Sequence, residues 1–131
     1  MLSHLGGLMQ LGNDIFDVWE DFHSDTKTAA TTCVSIEQLW KKFSADLCTL
    51  FELAEKTSYS NEQINRFLNI ISLALARVFV CLDQFEKLEN TTNNKFQIEK
   101  YSRKQLICDM QKPKNQIKAV RYFIDISVIR A

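Results

Sequence analysis

The stretch SNEQINRFLNIISLALARVFVCLDQFEKL, residues 60–88, decides the fold. It opens with Ser60 and places Gln63 three positions on. In that capping box the Ser hydroxyl and the Gln side chain satisfy backbone N–H groups that lack partners in the first turn of a helix. No Gly or Pro follows for the rest of the stretch, so nothing local interrupts a long helix. From Ile64 to Phe85 the side chains are apolar on nearly every face, where a surface helix would show a single stripe. A helix of that kind is surrounded by others, and residues 60–88 are expected to be the central helix of a bundle.

The flanking segments supply the neighbours. Ser35-Ile-Glu-Gln38 repeats the capping device and opens a helix to about Lys56. Its buried stripe is expected to be Ile36, Leu39, Trp40, Phe43, Leu47, Leu50, Phe51 and Ala54. Residues 2–23 carry helical periodicity, and the Thr-rich Ser24–Val34 reads as a loop. Downstream, TTNNK at 91–95 is a break, Phe96–Met110 reads as a shorter helix, and Pro113 suits the first turn of a last helix ending near Ile129. The expectation is an all-α, antiparallel helical bundle of about five helices, a single domain over residues 1–131. Only three Gly and one Pro argue against a many-turned β architecture, and 46% apolar residues argue against disorder.

Other classes fall away quickly. Cys33, Cys48, Cys81 and Cys108 are widely spaced with no C-x-x-C pair, which reads as reduced thiols filling a core. The N-terminus lacks a basic, signal-like region, so the expected location is cytoplasmic. The most apolar run, Ile70–Leu82, contains Arg77 and is short for a bilayer span, so no transmembrane segment is expected. The net charge is zero and no nucleic-acid-binding motif occurs, so no nucleic-acid partner is expected.

The charge is unevenly placed. Residues 1–26 hold five acids and no Lys or Arg, whereas residues 95–131 hold nine basic residues against three acids. This predicts contact between the two ends or a shared anionic ligand. The acids sit in QLGNDIFDVWEDFHSDTKT, residues 10–28. At 100° per residue Gln10, Asp14, Asp17 and Asp21 fall within roughly a 60° arc. Leu11, Ile15, Val18, Trp19 and Phe22 form the adjoining face, which can pack into the core. Glu20 lies off the acidic line. Like charges three and four apart on a helix each cost a few tenths of a kcal/mol, and nothing nearby in sequence offsets them. A divalent cation would, since Mg²⁺ is held by one or two carboxylates plus waters and phosphate oxygens. The segment lacks the Gly and alternation of an EF-hand loop, and its single Glu20-x-x-His23 is half of what a di-iron bundle needs. A plain solvated acidic face is the competing reading. Asp83-x-x-Glu86-x-x-Glu89 reads as an ordinary solvated face of that kind.

Gly7-Leu-Met-Gln10-Leu-Gly-Asn13-Asp14-Ile-Phe-Asp17-Val-Trp-Glu20-Asp21 resembles the second aspartate-rich motif of the class I isoprenoid synthases. Asn13-Asp14-x-x-Asp17 is similar to the form in polyprenyl diphosphate synthases. Asp17-x-x-Glu20-Asp21 is similar to the form in squalene and phytoene synthases. Lys27-Thr28 resembles the Lys-Thr that follows the motif in the former. The resemblance implies a helical bundle of bacterial type around an apolar cavity, where Mg²⁺ ions hold an allylic prenyl diphosphate for ionisation. It implies Asp14, Asp17 and Asp21 as metal ligands, Gln10 and Lys27 as substrate-binding residues, and Lys27 as the catalytic cation on the diphosphate. Asn13 stands where polyprenyl synthases carry an Asp. A first acidic motif should lie well upstream, and nothing before Gln10 can serve. The chain is therefore expected to correspond to the C-terminal portion of such an enzyme. It should be inactive unless a further copy or the missing N-terminal half completes the site.

A reading of another class is a non-catalytic helical interaction module that self-associates as a homo-oligomer through apolar faces at Phe51, Phe67, Phe79 and Phe123.

Overall fold

The computed structural model describes residues 1–130, with side chains to Val128. It contains α1 (Leu2–Phe16), α2 (Val18–His23), α3 (Ala29–Thr32), α4 (Ile36–Glu55), α5 (Asn61–Asn90), α6 (Arg103–Leu106) and α7 (Pro113–Arg130). A 3-10 turn occupies Ile98–Lys100, and no strand occurs among the described residues.

The long helices form where their caps place them. Ser60 accepts from the Gln63 N–H and Gln63 Oε1 accepts from the Ser60 N–H, so the α5 capping box is complete. At α4 the box is only half formed. Ser35 Oγ accepts from Gln38 N, while Gln38 Oε1 accepts from the Val34 N–H at 3.5 Å. The Ile36 N–H turns instead to the Glu89 carboxylate, 2.6 Å away. Glu89 is buried, so it is not part of a solvated face. Five consecutive residues, Val78–Leu82, are buried, because α1, α4 and α7 all pack on α5. The long middle helix is central, as its sequence predicts.

Pairings across the bundle give its directions. Ile36 meets Glu89, Phe43 meets Phe79 with ring centroids 5.1 Å apart, and Ala54 shares a cleft with Ile64, so α4 and α5 are antiparallel. Gly12 faces Val78, and the Ile15 carbonyl faces Cys81, so α1 runs parallel to α5. His4 bonds the Asp46 carbonyl and fixes α1 against the middle of α4. At Gly12 a β-carbon would stand 3.1 Å from Val78 Cγ2, a tight contact, so glycine suits the close approach of α1 to α5. The stripe expected on α4 is buried throughout except Trp40, which is half-buried.

Three expected boundaries differ. Residues 2–23 are two helices, bent at Asp17, whose φ −96° and ψ 14° leave the helical basin. The Ser24–Val34 loop contains α3, a single turn capped by Thr28 and Thr31 in place of the usual Glu or Gln. Phe96–Met110 is not one helix. Phe96, Ile98, Tyr101, Leu106 and Cys108 are all buried there, with a spacing that one helical face cannot provide. The segment runs back along α5, where Gln84 Nε2 donates to the Gln105 and Ile107 carbonyls at 2.9 Å each. Side-chain donors thus replace the helical ladder.

α5, at 30 residues, is long and apolar enough to cross a bilayer, and half of its apolar window is buried inside the fold.

Candidate functional site

The acidic residues occupy the α1–α2 bend. Asn13 O accepts from Asp17 N at 2.8 Å, and Asp17 O accepts from Asp21 N at 2.9 Å. The backbone ladder therefore continues through the bend and keeps Asp14, Asp17 and Asp21 on one side. Gln10 Nε2 donates to Asp14 Oδ1 at 3.0 Å, which anchors that carboxylate. α2 then ends in a Schellman motif. Thr26 N reaches Asp21 O at 2.8 Å and Asp25 N reaches Phe22 O at 3.3 Å, with Asp25 left-handed at φ 59°.

Asp14 and Asp21 are half-buried, and Asp17 is exposed. Asp14, Asp17 and Asp21 have no ion pair among the described residues. Burial first, then the charges of Asp17 and Asp14, raise the Asp21 carboxyl above its ordinary range. Glu20 differs. It lies off the line and pairs with Arg103 at 3.8 Å, and Arg103 also covers the Trp19 ring at 5.7 Å. The acidic and basic ends therefore meet, through one exposed pair.

An open apolar cleft lies between α1 and α5, with Asn13, the residue before Asp14, in its wall. Leu5, Met9, Gly12, Asn13 and Phe16 line one wall; Ile71, Leu75, Arg77 and Val78 line the other, around about 200 Å³. Arg77 lies 6.0 Å from the Phe16 ring centroid, which places a cation in the cleft wall. Sequence reasoning missed Arg77 as a site residue, because an Arg inside an apolar run signals only an interruption. The cleft turns it toward the acidic helix.

Lys27 is exposed in the loop after α2 and forms no ion pair with the acidic line. Phe51 and Phe79 are buried and Phe67 and Phe123 half-buried, so these four rings are not the free apolar faces of the chain.

No protein-family profile, curated protein or solved structure matches this chain.

The donor set is of the right chemistry for a hard cation, since carboxylate oxygens are what Mg²⁺ takes. Its geometry is open. Among the described residues no three His, Cys, Asp or Glu side chains converge as a metal-holding group. Asp14, Asp17 and Asp21 can offer one or two ligands along a rim, and the remaining positions fall to water, an anionic ligand or a facing chain.

Proposed function

We propose that the α1–α2 rim is half of a binding site for a prenyl diphosphate, of the isoprenoid-synthase kind that the sequence of residues 7–21 resembles. The observation that carries this reading is that Asn13 and Phe16 line an apolar cleft while Asp14 and Asp17, each the next residue along the chain, have no ion pair among the described residues. An amphipathic ligand with an anionic head and a hydrocarbon tail needs both. Mg²⁺, when bound, would screen the carboxylates from one another and draw off the negative charge that develops on a leaving diphosphate. Asp14 and Asp17 would hold the cation, Asp21 would join through water, and Gln10 would keep Asp14 turned to the rim. Phe16, Leu75 and Val78 would exclude water from the tail, and Arg77 would meet the diphosphate from the opposite wall. Lys27 would reach the diphosphate only by a movement of its loop. A facing acidic helix outside these 131 residues would complete the site, so the chain alone should bind without turning over.

Thermal unfolding with Mg²⁺ and inorganic diphosphate tests this. The melting temperature should rise with both present and with neither alone, and Asp17→Ala should remove the rise. An unchanged melting temperature at millimolar Mg²⁺ and diphosphate would sink the reading.

A second reading has its own observation. Ile117, Val120, Ile124 and Val128 are exposed along one stripe of α7, and Ile70 and Leu73 are exposed on α5. Leu73 and Val120 share a cleft, which makes these two helices one apolar surface. A self-associating module would use that surface. Sedimentation should then show a dimer that Ile124→Lys dissociates, with no response to Mg²⁺.

A further inference from the structure

Six of the eleven large apolar side chains exposed among the described residues gather on one surface, where α7 packs on α5. Lys118 pairs with Asp83 and Tyr122 stacks on Phe79, so α7 runs antiparallel to α5. On α7 the exposed residues are Ile117, Val120, Ile124 and Val128, and steps of three, four and four keep them in one stripe. α7 holds the fold by its other face, through Ala119, Tyr122, Phe123 and Ile126. On α5, Ile70 and Leu73 extend the surface, and Leu73 and Val120 line one cleft.

The charges around this surface are mostly of one sign. Lys114 and Arg121 stand three positions before Ile117 and Ile124, at the edge of the stripe, and Arg77 lines the cleft from α5. All three are exposed, and none has an ion pair among the described residues. Arg66, one turn before Ile70, is already answered by Glu62. The single acid of α7 is Asp125, one turn past Arg121.

We propose that this surface docks on an anionic lipid bilayer. The aliphatic stripe meets the acyl boundary, and Lys114, Arg121 and Arg77 lie among the headgroups. Interfacial helices bind in this way, with apolar area and basic side chains each supplying part of the affinity. The long stems of Lys and Arg cover apolar surface while their charged ends reach the headgroups. A second copy of the chain is the competing occupant. Facing itself, the surface would set its unpaired cations against the same excess, with Asp125 the one α7 acid to answer them. Like charges opposed across an interface are costly, whereas an anionic membrane answers all three cations at once.

Co-sedimentation of the full chain with vesicles tests this, using phosphatidylcholine alone and an equal mixture of phosphatidylcholine and phosphatidylglycerol. The chain should bind the mixed vesicles, ignore the neutral ones, and be released as salt is raised. Arg77 lines both clefts, so the deciding substitutions are at four positions that the carboxylate rim does not use. Lys114→Gln and Arg121→Gln should each weaken binding about fivefold, the worth of one cation at an anionic surface. Ile117→Ser combined with Ile124→Ser should weaken it by more than about tenfold. Circular dichroism should be unchanged in all of them, since these side chains are exposed. Equal binding to both vesicle types would overturn the proposal, as would binding that survives the double Ser variant or ignores both Gln variants. So would a chain that stays in the supernatant, or a dimer that Ile124→Lys dissociates, which would assign the surface to a second copy.

Discussion

Two acidic runs of nearly the same spacing lie on different helices and meet opposite fates. On α5, Asp83 is held by Lys118 at 3.1 Å and by Lys87 at 3.4 Å, and Glu89 is buried with its carboxylate on the Ile36 N–H. On α1–α2, Asp14, Asp17 and Asp21 have only Gln10 as a described side-chain partner. Asp83 and Glu89 are answered from within the chain and serve the fold, while Glu86 between them is exposed. The second run keeps its like charges side by side, and after burial, the larger cause, the charges of Asp17 and Asp14 raise the Asp21 carboxyl. Acids that a fold leaves uncompensated beside an apolar cleft are the ones to test for an outside partner.

The largest effect should come from the α5 run. Glu89→Ala removes a charged acceptor from a buried N–H at the start of α4, and should cost about 1.5–3 kcal/mol in urea unfolding. Cys33 offers a local reporter. Burial first, then Glu89, pushes its thiol up to about 11, so in the native protein it should react slowly with a thiol reagent near neutral pH. Glu89→Ala should speed that reaction. An equal cost for Asp14→Ala would erase the contrast between the runs.

Asp83→Ala should rank second. Its pair with Lys118 is about three-quarters buried on both sides, and that with Lys87 is largely exposed. A loss of about 0.5–1 kcal/mol is expected, shrinking as salt is raised.

The contrast between the runs also shows what the sequence makes legible. The capped central helix, the α4 stripe and the apolar underside of α1 follow from periodicity and from Ser60 and Ser35, which are local signals. Glu89 is 53 positions from the N–H it caps, so spacing alone gives it a solvated face. Residues 96–110 mislead for a related reason. Ser102 and Gln105 do form a capping box, but the helix it starts lasts one turn, because Gln84 takes the Gln105 and Ile107 carbonyls and holds the following backbone along α5. At the rim the sequence shows the acids sharing a face, and the structure adds the bend at Asp17, the cleft and Arg77. Convergence of carboxylates on a point is a tertiary property, and the described residues do not supply it.

The smallest effect is the most direct probe of the rim. Asp21 holds its proton more tightly in the native chain than an ordinary carboxyl does, from burial first and then from Asp17 and Asp14. A carboxyl raised on folding contributes stability at pH below its unfolded value, and that contribution is lost as pH rises through the native value. Stability should therefore decline slightly as pH climbs from the ordinary carboxylate range. Asp17→Asn removes one source of repulsion. It should lower the Asp21 titration midpoint in a carbon-13 NMR titration and raise stability at neutral pH by a few tenths of a kcal/mol. Part of the upward displacement should remain, because burial is its first cause. If Asp17→Asn leaves the Asp21 midpoint where it was, the two carboxylates do not share a field, and a cation placed between them would have no repulsion to relieve.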